Sequence, residues 1–82
     1  MLDELLILKK IKGGDIKAFE ELFRRYYFPL CCYAAGITGQ MEVAEEIVEE
    51  LFYVLWKERE RLQIFQFVKS YLYRATRNQS LQ

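Results

Sequence analysis

Eighty-two residues make one small domain, and 52% hydrophobic with 16% aromatic residues excludes a disordered chain. Such a domain buries only about two thirds of its unfolded surface, so its core must be efficient. The formal net charge is zero, histidine is absent, and no apolar run approaches the roughly 20 residues that cross a bilayer, so no membrane insertion is expected.

The chain reads as helices throughout, interrupted by one proline and four glycines. The opening MLDELLILKK has acids where a secretory leader carries a basic region, and no small-residue cleavage site, so the cytoplasm is the expected compartment. A first helix is predicted from about Leu2 to Lys12, with Leu5, Leu8 and Ile11 as its apolar stripe. The GGD that follows ends it. Gly13 or Gly14 supplies a left-handed stop, and Asp15 caps the next helix.

The second helix starts near Ile16. Phe19, Leu22, Phe23, Tyr26, Leu30, Tyr33 and Ala34 keep the spacing of three and four that builds one face. Pro29 removes the donor to the Arg25 carbonyl, which predicts a kink rather than a complete break, because the periodicity continues past it. Cys31 and Cys32 are adjacent and point about 100° apart on a helix. They read as core or boundary thiols, since no histidine or third cysteine completes a zinc site. The GITGQ of residues 36–40 closes the helix.

A third helix is predicted from Met41 to Arg61, burying Ala44, Ile47, Val48, Leu51, Phe52 and Leu55. Its other face carries Glu42, Glu45, Glu46, Glu49 and Glu50, extended by Tyr53 and Lys57, with Trp56 at the boundary. A loop, ERLQIFQ, leads to a fourth helix from about Phe67 onward. That helix is predicted to bury Val68, Tyr71 or Leu72, Ala75 and Gln79, and to expose Lys69, Tyr73, Arg74, Arg77 and Asn78. The expected fold is all-α: a compact bundle of four amphipathic helices in a single domain.

Charge is segregated along this bundle. Residues 41–60 hold seven glutamates against one lysine and one arginine, whereas residues 61–82 hold four basic residues and no acid. Solvation and the dipole of the last helix account for part of this. Yet Glu42, Glu46 and Glu50, and likewise Glu45 and Glu49, stand four apart and repel one another. An acidic face kept despite that repulsion suits a basic protein partner. The last helix mixes cations, tyrosine and amides, the chemistry that holds phosphates, stacks bases and reads base edges. An enzyme is not expected, because no histidine base and no glycine-rich phosphate loop is present. No cofactor is expected either.

Three segments together resemble region 2 of sigma factors, in the extracytoplasmic-function group of the sigma-70 family. They are GDIKAFEELFRRYYFPL, AEEIVEELFYVLW and SYLYRATRN, in that order, and the likeness spans about residues 5–81. The resemblance implies a bacterial transcription initiation factor. One surface would dock on the coiled coil of the β′ subunit of core RNA polymerase. Another would recognise and melt the −10 promoter element on the non-template DNA strand. An anti-sigma partner is implied too, and the helix-turn-helix domain of region 4 is absent from these residues.

The family's docking block commonly reads DIVQEVF. Here it is Glu46-Ile47-Val48-Glu49-Glu50-Leu51-Phe52, with glutamate at both polar positions and Phe52 as a core residue. The implied docking residues are Glu46 and Glu49, with Glu42, Glu45, Glu50 and Tyr53 on the same face. Asn78 corresponds to the asparagine that shapes a pocket for an extruded base, and Tyr73 and Arg74 match positions near the melted strand. Lys69 and Arg77 add cations on that helix. Leu62, Gln63 and Gln66 fall in the loop that holds the extruded base. Extrusion costs a few kcal/mol, which such a pocket offsets. The alternative is a helical adaptor or anti-regulator whose acidic face binds protein and which never touches DNA.

Overall fold

In the computed structural model, which describes residues 3–63 and 67–82, four α-helices follow one another. They are α1 (Glu4–Lys12), α2 (Ile16–Thr38), α3 (Met41–Lys57) and α4 (Val68–Ser80), with a short 3₁₀ turn at Arg59–Arg61. No strand occurs among the described residues.

The punctuation follows the local chemistry. Asp15 Oδ1 accepts from the amides of Lys17 (3.0 Å) and Ala18 (3.2 Å), satisfying two orphan donors at the start of α2. Before it, Gly14 takes φ +92° while its amide bonds the Ile11 carbonyl, and the Asp15 amide reaches the Lys10 carbonyl. At the other end of α2, Gly39 takes φ +80° and donates to the Ala35 carbonyl at 2.8 Å. Thr38 Oγ1 accepts from the Gln40 amide and tightens the turn into α3.

The longest helix, α2, packs against all three others. It contributes Ala18, Leu22, Leu30, Cys31 and Ala34 to a core that also holds Ile7, Leu8 and Ile11 of α1, Ala44, Val48, Phe52 and Leu55 of α3, and Val68 and Leu72 of α4. Phe52 lies at its centre, edge-on to Phe23 (ring centroids 5.0 Å) and Phe19 (6.1 Å). Helical periodicity continues across Pro29, whose missing N–H falls on the exposed side of α2.

Three expectations shift. Ile7 joins the α1 core while Leu5 is only half-buried. The third helix stops at Lys57 rather than Arg61, because Lys57 to Arg61 offers no apolar residue whose burial would reward another α turn. The 3₁₀ turn instead swings Leu62 into the core. In α4 the buried row is Val68, Leu72, Thr76 and Ser80, one position on from Tyr71, Ala75 and Gln79. Leu72 sets that register as the larger aliphatic group, and the row then takes two hydroxyls inside. Ser80 Oγ satisfies itself by donating to the Thr76 carbonyl at 2.7 Å.

Candidate functional site

Two surfaces of opposite charge arise from this packing. On α3 the acids stand in two rows. Glu42, Glu46 and Glu50 form one, and Glu45, Glu49 and Tyr53 the other, each stepping by four residues. Glu46 and Glu50 edge an apolar groove floored by Val43, Ile47, Leu51 and Val54 and closed by Gln79 of α4. Val43 and Val54 are exposed, so α3 is apolar over more of its circumference than one core face uses. That second stripe, 43–47–51–54, was available in the sequence, but Ile47 and Leu51 were assigned to the core. Both are half-buried and serve the groove.

The second row turns towards α2. Tyr27 Oη donates to Glu49 Oε2 at 3.0 Å, and the Tyr27 ring stacks on Phe23 at 4.7 Å. Desolvation, and then the bond to Glu49, push the Tyr27 phenol well above its ordinary range. Lys57 Nζ lies 5.8 Å from the centre of the Tyr53 ring, a cation–π contact at the exposed end of this row. Trp56, half-buried, leans on Phe19 at 5.1 Å and is covered by the Arg59 guanidinium at 4.2 Å.

On α4, Lys69, Arg74, Arg77 and Asn78 are exposed. Tyr73 is half-buried, its ring edge-on to Tyr33 of α2 at 5.1 Å. Tyr33 falls on the apolar face that the spacing of α2 predicts, but it sits at the surface with 37% of its area exposed. Gln63 is exposed and Leu62 is buried. Both line a hollow of about 300 Å³ between α3 and the 3₁₀ turn, shared with Val54, Arg61 and Tyr71. Arg61, Val54 and Tyr71 were not among the residues proposed for that region. Gln66 lies outside the described residues.

Among the described residues the ion pairs are local to other parts of the bundle. Glu21 meets Arg24 (3.1 Å) and Arg25 (3.0 Å), Glu4 meets Arg25 (3.5 Å), and Glu58 meets Arg61 (3.5 Å). Hydrogen bonds from both arginines hold the Glu21 carboxyl below its ordinary range. None of these pairs joins the α3 glutamates to Lys69, Arg74 or Arg77. Burial pushes the Cys31 thiol up, while the neighbouring Cys32 is exposed. Among the described residues no group of three His, Cys, Asp or Glu side chains is arranged to hold a metal ion, and no helix is long and apolar enough to cross a membrane.

The chain matches no family model, no curated protein and no solved structure.

Proposed function

We propose that this chain is the polymerase-docking and promoter-opening domain of a transcription initiation factor of the extracytoplasmic-function sigma type. The observation that carries the reading is the absence, among the described residues, of any ion pair between the α3 acids and the α4 cations. Charges of both signs are left free for outside partners, on different helices of a neutral bundle.

The α3 groove suits an amphipathic basic helix. Val43, Ile47, Leu51 and Val54 accept its apolar stripe, and Glu46 and Glu50 meet its cations at the rim. A helical element of the β′ coiled coil has that chemistry in the family that the motifs resemble. The same acids repel a polyanion, so nucleic acid is left to α4. There, Arg74 and Arg77 hold phosphates, and the exposed Asn78 amide reads a base once the strand is open. Binding to intact duplex by this domain alone then rests on a few phosphate contacts, in the roughly 10⁻⁴–10⁻⁶ M non-specific range and weakened by salt.

The deciding experiment is capture of core RNA polymerase by the immobilised chain. The wild type should retain polymerase, and Glu46→Lys with Glu50→Lys should lose it. Arg74→Ala with Asn78→Ala should keep polymerase and lose opening of the −10 element. Equal retention by the charge-reversed variant would sink the docking half of the proposal. Unchanged promoter opening by the α4 variant would leave a helical adaptor without DNA contact.

A further inference from the structure

The α3 groove suits an amphipathic basic helix, and the bundle carries one of its own. On α1, Leu6 is an exposed aliphatic side chain, and Lys9 and Lys10 are exposed beside it. At 100° per residue the two lysines fall on either side of Leu6, about 60° one way and about 40° the other. The core face of α1, Ile7, Leu8 and Ile11, is turned away from this strip. Glu4 is the one acid within α1, and it is engaged elsewhere, accepting from Tyr26 Oη at 2.6 Å and meeting Arg25 Nη1 at 3.5 Å. The outer strip of α1 is therefore aliphatic and cationic.

This strip is the complement of the groove. Leu6 matches the floor of Val43, Ile47, Leu51 and Val54, and the two lysines match the rim acids Glu46 and Glu50. The lengths agree as well. The nine residues of α1 span about 13 Å, and Val43 to Val54 spans about 16 Å along α3. Other exposed strips fit less well. The residues that α4 exposes are all polar, so it offers charge without an apolar group to enter the groove. Ile16 is exposed but stands one turn from Glu20, which would face the rim acids. Within one chain, among the described residues, no ion pair joins Lys9 or Lys10 to Glu46 or Glu50. The match is available to a second copy.

We propose that the α3 groove binds the outer strip of α1 of a second copy of this chain. Leu6 enters the groove, and Lys9 and Lys10 pair with Glu46 and Glu50 across the interface. One face of so short a helix covers well under the roughly 800 Å² per partner of a standard interface, so the association is weak and reversible. Its consequence is self-masking: a chain in association hides the surface assigned above to polymerase. The masking rests on that assignment, whereas the association does not.

The test is sedimentation of the whole chain from micromolar to millimolar concentration. The mass should rise above the 9.9 kDa of one chain. Lys9→Glu with Lys10→Glu should weaken association by about 2- to 30-fold, the range for two exposed ion pairs, and Glu46→Lys with Glu50→Lys should do the same. Mixing the two variants should restore association, because each then meets a partner of opposite sign. That recovery separates a lost contact from a misfolded variant. A wild type that stays at one chain throughout, a mixture no heavier than its parts, or an α1 variant that associates like the wild type would overturn the proposal.

Masking is read separately. The free Glu46→Lys, Glu50→Lys chain keeps its α1 strip and has lost its own acidic rim. Added in excess, it should displace core polymerase from immobilised wild type, and the same chain with Lys9→Glu and Lys10→Glu should not. Restored association in the mixture without any displacement would leave the α1–groove contact standing and overturn the assignment of the groove to polymerase.

Discussion

Tyr27 Oη donates to Glu49 Oε2 at 3.0 Å and so ties the middle of α2 to the acidic face of α3. The contact holds an α3 docking acid from another helix and fixes which way the second acidic row leans. A double-mutant cycle of Tyr27→Phe and Glu49→Ala in urea should give a coupling of about 0.5–1.5 kcal/mol, the usual net value of one hydrogen bond, towards the low end because the pair is partly exposed. A coupling indistinguishable from zero would mean that the two groups prefer water to each other.

Alkaline pH should find the same tyrosine and its neighbour. Desolvation, then hydrogen bonds to Glu4 and Glu49, raise Tyr26 and Tyr27 above the ordinary phenol value of 10. Below that pH both are protonated in folded and unfolded chains alike. Above it the unfolded chain loses these protons first, so stability is fully present below pH 10 and falls as pH rises further. Urea midpoints of the wild type should therefore be lower at pH 11 than at pH 10. The variant with both tyrosines changed to Phe should show a shallower drop. Parallel curves for the two proteins would count against the assigned shifts.

The two glycines of GITGQ should respond to alanine with opposite sign. Gly39 sits at φ +80°, so Gly39→Ala forces a left-handed alanine and should cost roughly 1–2 kcal/mol. Gly36 is inside α2, with open space where a Cβ would go. Gly36→Ala should therefore stabilise by about 0.5–1 kcal/mol. Thermal unfolding of the two variants decides it, and a shift of the same sign in both would refute the assignment of the α2 stop to Gly39.

The helices, their order and the Asp15 cap were legible because each is a short-range decision. Apolar spacing, a capping carboxylate and a left-handed glycine act within a few residues. What the sequence hid depends on neighbours far along the chain. Tyr33 fits the apolar period of α2, but α4 is too short and too polar there to cover it, so it pairs with Tyr73 at the surface. Ile47 and Leu51 fit a core stripe, yet α3 has two stripes, and its neighbours α2, α4 and the 3₁₀ turn do not cover both, which leaves the groove beside Glu46 and Glu50 open. The α4 register turned on the choice between Tyr71 and Leu72, and periodicity alone could not make it. Charge segregation was readable directly, since it needs only the composition of each helix. That the opposite charges do not neutralise each other is a fact of three-dimensional placement.

That α4 register leaves one buried hydroxyl in need of explanation. Thr76 is fully buried, and its Oγ1 has no hydrogen-bond partner among the described residues. An unsatisfied buried hydroxyl costs about 1–3 kcal/mol, whereas a methyl in its place costs no desolvation. Valine has the same branched shape and a similar helix propensity, so Thr76→Val should fill the site without a cavity or a clash. A gain of about 1 kcal/mol is expected, which for a domain of this size raises Tm by roughly 4–8 °C. Thr76→Ser keeps the hydroxyl and loses the methyl, so it should destabilise and serve as the control. If valine lowers Tm instead, the Thr76 hydroxyl is bonded in solution, and the orphaned group inferred from its burial is not there.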